Sequence, residues 1–570
     1  MPNQSAGDAN FWVFRDGRRN VPGSSVLSEL LGAVEGLSDH PITPNRVISA
    51  LIRAGELESA LADIDSSSLG LVEQLTNELA GMLRACGPGP DLRTLAANLS
   101  RAVLPESLVL SPPEGFAYYA LHPMDFASLA EVTAATSSRA AAVIGIRSIG
   151  TSLSAIVTAA LRSHGRLTER ITVRPTGHPY NRELQFTPLQ LEWVHRQQDL
   201  SADFLIVDEG PGRSGSSFLS IGEALVSAGV ARERIMFLGS RPVDPSHLCA
   251  RNAVSRWNHF RFTCPEPTVY QRFSNDLYIG GGIWRKLFIS GKAKWPACWP
   301  QMERFKFLSR DEASILKFEG FGRFGEEVLH RAQRLAGAGF GPSAEDAGDG
   351  MIRYSMVPGN LLESADLSTA LLDRIAQYCA FRKREFSVPE QPSQLVEMFR
   401  FNLLQAFEID LNFDEEVLAS KNPVLLDARM QPHEWIRQPD GRVVKVDACT
   451  HGDDHFFPGP TDIAWDLAGA IVEWNLDADA TEFLLARYHR LAGDDPRPRI
   501  SVFTLAYLLF RLAYCRMAKT TVFEADDELA LQRAISRYRA LAEPRLADFQ
   551  TSPIAVATKL GFPNYSRAAD

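Results

Sequence analysis

Two carboxylates and a run of glycines and serines stand together in ADFLIVDEGPGRSGSSFLSIGEALVSAG, residues 202–229. Asp208 and Glu209 close an apolar run, residues 204–207, continuous enough for a strand buried on both faces of a parallel sheet. Gly210, Pro211, Gly212 and Gly215 then break regular structure. Ser214, Ser216 and Ser217 crowd the start of a helix whose apolar face carries Phe218, Leu219, Ile221, Leu225 and Val226. Such a bend is an anion site: unsatisfied N–H groups and the positive end of the helix dipole face the ligand, and small side chains let a phosphate reach the backbone. The Gly-Lys-Ser/Thr ending of a Walker loop is absent. A carboxylate pair beside the bend suits a sugar phosphate, whose hydroxyls donate to the acids while its phosphate takes the amides. The competing reading is an ordinary strand-to-helix turn of a doubly wound domain.

The string resembles the phosphoribosyl-pyrophosphate loop of type I phosphoribosyltransferases: apolar strand, two acids, a short spacer and a hydroxyl-Gly-x-hydroxyl end, here Ser214-Gly215-Ser216-Ser217 after a spacer one residue longer than usual. One strand–helix unit earlier, Arg147-Ser148-Ile149-Gly150-Thr151-Ser152 resembles the pyrophosphate loop of the same enzymes. The resemblance spans residues 110–245. It implies that Asp208 and Glu209 hold the ribose hydroxyls, directly or through Mg²⁺. It implies that Gly212, Arg213, Ser214, Gly215, Ser216 and Ser217 take the 5′-phosphate, and that Arg147, Ser148, Gly150 and Thr151 take the leaving pyrophosphate. Residues 175–184 correspond to a closing hood, with Arg174, His178, Tyr180 and Arg182 as candidates for pyrophosphate or the acceptor. Catalysis of this kind is mostly positioning and charge stabilisation, here by Asp208, Glu209 and Arg147. The implied partners are phosphoribosyl pyrophosphate and a small-molecule acceptor, and the hood of such enzymes is often completed in a homodimer.

A second constellation lies beyond residue 300. Lys317 follows the apolar pair Ile315-Leu316 in mid-hairpin, and Glu326 and Glu327 open the next helix. A strand lysine paired to a helix glutamate, here Glu327, is how protein-kinase-like folds hold the phosphates of ATP. Residues 423–470 resemble aminoglycoside-phosphotransferase-like kinases. Asp447, ending a strand over 443–446, matches their metal-binding Asp, and GPTDIAWDLAG from Gly459 matches their closing motif. Aligned through Pro432, the family's catalytic base falls on Arg429 and its metal-binding Asn on Glu434, so Asp427 is the carboxylate left to act as base. His451, Asp453, Asp454 and His455 could add a base or a ligand. The cofactors implied are Mg²⁺ and ATP. A degenerate kinase that binds a nucleotide, within a regulatory rather than catalytic protein, is the alternative.

The elements that must position these groups are legible in outline. Residues 1–105 read as helices, with Thr43-Pro44 as a start signal and Val47, Ile48, Leu51, Ile52, Leu57 and Leu61 at helical spacing. A short aromatic strand is expected over 116–120. Strand and helix then alternate through residues 106–265, which indicates a parallel sheet with right-handed crossovers. The fold class is thus α/β: a parallel-sheet phosphoribosyltransferase fold, then a two-lobed α+β kinase-like domain over 266–570, with the helical region in front. At 570 residues the chain exceeds one core. Its net charge of −10 argues against general nucleic-acid binding. The seven cysteines form no C-x-x-C pair, which reads as a reducing compartment. The first residues lack the apolar segment of a leader, and the apolar stretch at 503–515, interrupted by Arg511, reads as a buried helix rather than a membrane span. Together these give the expectation of a cytoplasmic protein.

Overall fold

The two most apolar runs of the middle third become adjacent strands, β3 (Ala141–Ile146) and β5 (Asp203–Val207), buried along their whole length. In this computed structural model, residues 11–13, 17–39, 41–83, 91–178, 180–390 and 393–552 are described. Residues 1–10 and Cys86, read above for a leader and a thiol, lie outside them. With β4 (Thr168–Val173), β6 (Ile235–Leu238) and β7 (Arg261–Thr263), the two strands form an all-parallel sheet in the order β4-β3-β5-β6-β7. A continuous apolar run has no polar face to turn to water, so helices must cover both sides. Ile149–Ser163 covers one face and Ser216–Ser227 the other.

The first hundred residues are helical, as their periodicity requires: Gly23–Asp39, Pro44–Asp63, Leu69–Met82 and Leu92–Leu99. Thr43 takes the N-cap position with extended backbone ahead of Pro44, although its side chain makes no capping hydrogen bond. These helices share one core with the Ile149–Ser163 face of the sheet. A buried two-point ion pair fastens them, Arg170 of β4 to Glu58 at 2.8 Å through both guanidinium nitrogens. The aromatic strand expected over 116–120 does not form. Glu114–Ala117 is a helical turn, and the strand lies earlier, β2 (Ser107–Leu110) against β1 (Arg19–Pro22). Pro113 fixes the entry to the turn, and Phe116 packs edge-on to Phe321.

The C-terminal part starts with an antiparallel sheet. Its strands are β8 (Leu277–Tyr278), β9 (Lys306–Leu308), β10 (Ser314–Phe318), β11 (Ala344–Gly348) and β12 (Met351–Ser355), in the order β11-β12-β10-β9-β8. The amphipathic helix Arg323–Gly337 follows β10. Beyond Met356–Gly359 comes a three-stranded sheet of β13 (Asn360–Leu361), β14 (Trp435–Arg437) and β15 (Val443–Lys445), set among long helices. The apolar stretch at 503–515 belongs to the longer helix Arg497–Lys519. By length and composition that helix could cross a membrane, and 83% of its apolar window is buried inside the protein. Phe307, Leu316, Phe318 and Met351 of the antiparallel sheet join the core of the N-terminal helices, so the fold is a mixed α/β body with shared cores.

Candidate functional sites

In an open parallel sheet the crevice for ligands opens where neighbouring strands send their helices to opposite faces, beyond the carboxyl ends. Here that place lies between β3 and β5, and the loops after them are the two read from the sequence. They touch: a Cβ on Gly150 would sit 2.6 Å from the Val207 carbonyl and 3.4 Å from Asp208 Oδ1. Ser148 adopts φ 110°, a strained value for a non-glycine residue and one that marks functional loops. Burial pushes the Asp208 carboxyl up to about 7 and the Glu209 carboxyl up to about 8, and the nearby Glu114 adds to both. The half-buried acids are therefore poised between donor and acceptor at neutral pH.

Three details depart from the open cradle expected. The Gly215 amide donates to the Pro211 carbonyl and the Ser216 amide to Ser214 Oγ, so two phosphate donors are already used inside the bend. Gly215, at φ 73°, is packed under Leu248 and Trp257, and Ser214 and Ser216 are buried; Gly212 and Arg213 stay exposed. Arg147 and Arg174 both bind Asp63 at the end of the helix Pro44–Asp63, at 3.0 and 2.7 Å, and the Ser148 amide donates to Ser59 Oγ. Thr151 is buried with its hydroxyl unpaired. Nothing in the periodicity of residues 44–63 signals that Asp63 reaches these arginines.

The second site is a cavity of about 920 Å³ between the antiparallel sheet and the helical remainder, within the size range of small-molecule sites. One wall is the Met356–Gly359 connection, another is β10, and the floor carries Glu434, Asp447 and His451. Lys317 on β10 reaches Asp447 at 2.6 Å, Glu319 at 3.0 Å and Thr450 Oγ1 at 3.2 Å. Burial alone would raise the Asp447 carboxyl, but the Lys317 ammonium holds it well below the usual range. Asp447 also has φ 55°. Glu434, Asp447 and His451 bring their ligand atoms within 4.8 Å of one another. His451 is held neutral by burial and by Arg429, and its Nδ1 is buried without a hydrogen-bond partner. A neutral imidazole beside two carboxylates fits a divalent cation. Asp208 and Glu209, also read as metal ligands, belong to no such three-residue group among the described residues.

Two assignments in this half are corrected. Asp427 is fully buried and does not line the cavity. It accepts from Tyr378 OH and lies 3.2 Å from Lys445, while its own amide and that of Ala428 are held by Asp466. Ala428 turns at φ 61°, which sends the Asp427 side chain inward and leaves Arg429 facing the cavity. Glu327 is not the partner of Lys317; it faces Arg323, Arg331 and Asp453 on the far side of its helix. Glu319, just beyond the end of β10, is the glutamate beside Lys317 at 3.0 Å, and its two-residue spacing from the lysine could have found it. Lys445, which joins Asp427 and Glu434, had no signal beyond an apolar strand ending in a charge.

No protein-family model matches the sequence, and no curated protein matches it. Solved structures similar to part of the chain include the choline kinase LicA from Streptococcus pneumoniae, with 15% identity and a TM-score of 0.28 over 42% of this chain and 89% of that one. A choline/ethanolamine kinase family protein from Mesorhizobium loti has 16% identity and a TM-score of 0.29 over 44% and 90%. The GDP complex of aminoglycoside 2′-phosphotransferase-IIIa has 14% identity and a TM-score of 0.29 over 43% and 92%. Identities this low leave the chemistry to be read from this chain's own residues.

Proposed function

We propose that the cavity in the C-terminal half is a phosphoryl-transfer site of the kinase-like kind, taking a nucleoside triphosphate as donor and a small molecule as acceptor. The supporting observation is the Lys317–Asp447 contact at 2.6 Å on the wall of the cavity, with Glu434 and His451 in reach of one cation. Lys317 lies where it would neutralise the donor's inner phosphates, released from Asp447 as they arrive. Glu434 and Asp447 would hold the divalent cation, Mg²⁺ for a kinase, with His451 beside them; the ion would supply charge neutralisation at the phosphate oxygens. Titration of AMP-PNP into the full chain should show one site, with affinity at least tenfold higher when Mg²⁺ is present. Heat signals identical with and without the ion, or none at all, would remove the reading.

A second reading is favoured by a separate observation, the acids and strained loop at the β3–β5 crevice: phosphoribosyl transfer from phosphoribosyl pyrophosphate to a small acceptor. Asp208 and Glu209 then bind ribose hydroxyls, and Arg147 and Arg174 exchange Asp63 for pyrophosphate. The variant Asp208→Asn with Glu209→Gln tests it twice. It should release no pyrophosphate where the unaltered chain does. It should also be more stable in alkali. Both carboxyls have folded values raised above the ordinary range near 4, so the stability they lend is complete below about pH 4 and is lost as pH climbs through about 7 and 8. At pH 9 the variant should exceed the unaltered chain by roughly 1–3 kcal/mol, with the gap closing at pH 5. Activity lost together with stability gained is the signature of a functional site. Binding of both ligands without turnover over a broad acceptor panel would make the chain a regulatory nucleotide-binding protein instead.

A further inference from the structure

The cavity is lined by seven basic side chains of lysine and arginine. Six of them, Lys294, Arg304, Lys306, Lys317, Lys445 and Arg511, have a carboxylate within 4.0 Å. Arg429 does not: among the described residues its guanidinium makes neither an ion pair nor a hydrogen bond, and only its amide is used, donating to Asp427. The planar fork of a guanidinium with no bonded partner is matched by a carboxylate or a phosphate. Its place is equally specific. It lines the cavity together with Tyr514, Glu434 and Asp447, whose charges act on it. Lys317, on β10, already serves Asp447.

The carboxylate that the sequence offered as base does not line the cavity. Asp427 is spent inside the core on Tyr378 and Lys445. An alcohol acceptor needs its proton removed as the new bond forms; an oxyanion does not. We propose that Arg429 binds the acceptor and that the acceptor's nucleophile is itself an anion, a phosphate or carboxylate oxygen. This rests on the phosphoryl-transfer reading above. In the step, the acceptor's oxyanion forms a new O–P bond to the γ-phosphorus of the nucleoside triphosphate. The bond from that phosphorus to the β–γ bridging oxygen breaks, and its electron pair leaves on the nucleoside diphosphate. No proton moves. A phosphate acceptor gives a phosphoanhydride and a carboxylate gives an acyl phosphate, and both use the same guanidinium.

The test is calorimetry on the full chain saturated with AMP-PNP and Mg²⁺, using two matched pairs: glycerol 3-phosphate against glycerol, and glycerate against glycerol. One anionic member should bind, and its neutral counterpart should bind at least tenfold more weakly; which pair responds names the source of the anion. Arg429→Ala should weaken that anion at least tenfold relative to AMP-PNP, and Arg429→Lys should recover part of the loss. Glycerol binding as tightly as either anion overturns the assignment. So does an Arg429→Ala variant that holds the anion undiminished, or an unaltered chain that takes up AMP-PNP and neither anion. Failure of AMP-PNP itself to bind would strike the phosphoryl-transfer reading underneath.

Discussion

Asp447→Asn should cut nucleotide turnover, read as ADP release from ATP, by about 10²–10³-fold, the usual cost of losing one preorganised charge partner in a transfer site. The substitution keeps the side chain's size and removes its charge. Two consequences follow from the geometry. The cation group loses one of its two carboxylates. Lys317 loses its 2.6 Å partner but keeps Glu319 at 3.0 Å, so the lysine is not stranded and the fold should survive. The expected pattern is therefore a large loss of rate with a melting temperature changed by only a few degrees. Turnover within threefold of the unaltered chain would show that Asp447 braces Lys317 and nothing more. Loss of the fold would show that the pair is structural first.

The largest effect on stability is expected far from that cavity. Glu58→Ala should cost about 3–5 kcal/mol, measured as a shift of the urea midpoint. Glu58 and Arg170 have side chains only 2% and 1% exposed, joined by two 2.8 Å bonds. Removing the acid leaves a guanidinium in the core with Asn77 Oδ1 at 2.5 Å and the Glu73 carbonyl at 3.5 Å as its remaining acceptors. Uncompensated buried charge costs more than the pair contributes, because the desolvation penalty stays while the attraction goes. The double variant Glu58→Met with Arg170→Met should accordingly recover most of the loss. A single substitution that costs under 1 kcal/mol would mean that the N-terminal helices open easily from the sheet.

Much of this architecture could be read locally. Strand β5 announced itself as an apolar run with no alternation, and the first hundred residues as helices by their spacing. The lysine at position 317 stood out because a charge interrupts an apolar strand. The misreadings share a cause. Residues 116–120 carry strand-like aromatics, yet Phe116 folds into a turn because Phe321, two hundred residues later, supplies its packing partner. Asp427 looked available because a sequence does not show that Ala428 turns at φ 61° and directs the acid inward.

Composition and periodicity alone thus determined where strands end, and so which residues stand at their mouths: Asp208 and Glu209 after β5, the Arg147–Thr151 loop after β3, Asp447 after β15. These are consequences of short-range burial, since an apolar run must be covered and its polar neighbours must emerge beside it. Which charge meets which was settled only when the chain closed on itself. Lys317 finds Asp447 across 130 positions, Asp63 reaches from the N-terminal helices to Arg147 and Arg174, and Asp427 withdraws to Tyr378 and Lys445. Buried ions must be paired, and the pairing depends on distances that no local pattern encodes. The same closure left Arg429 as the cavity's unpaired lysine or arginine among the described residues.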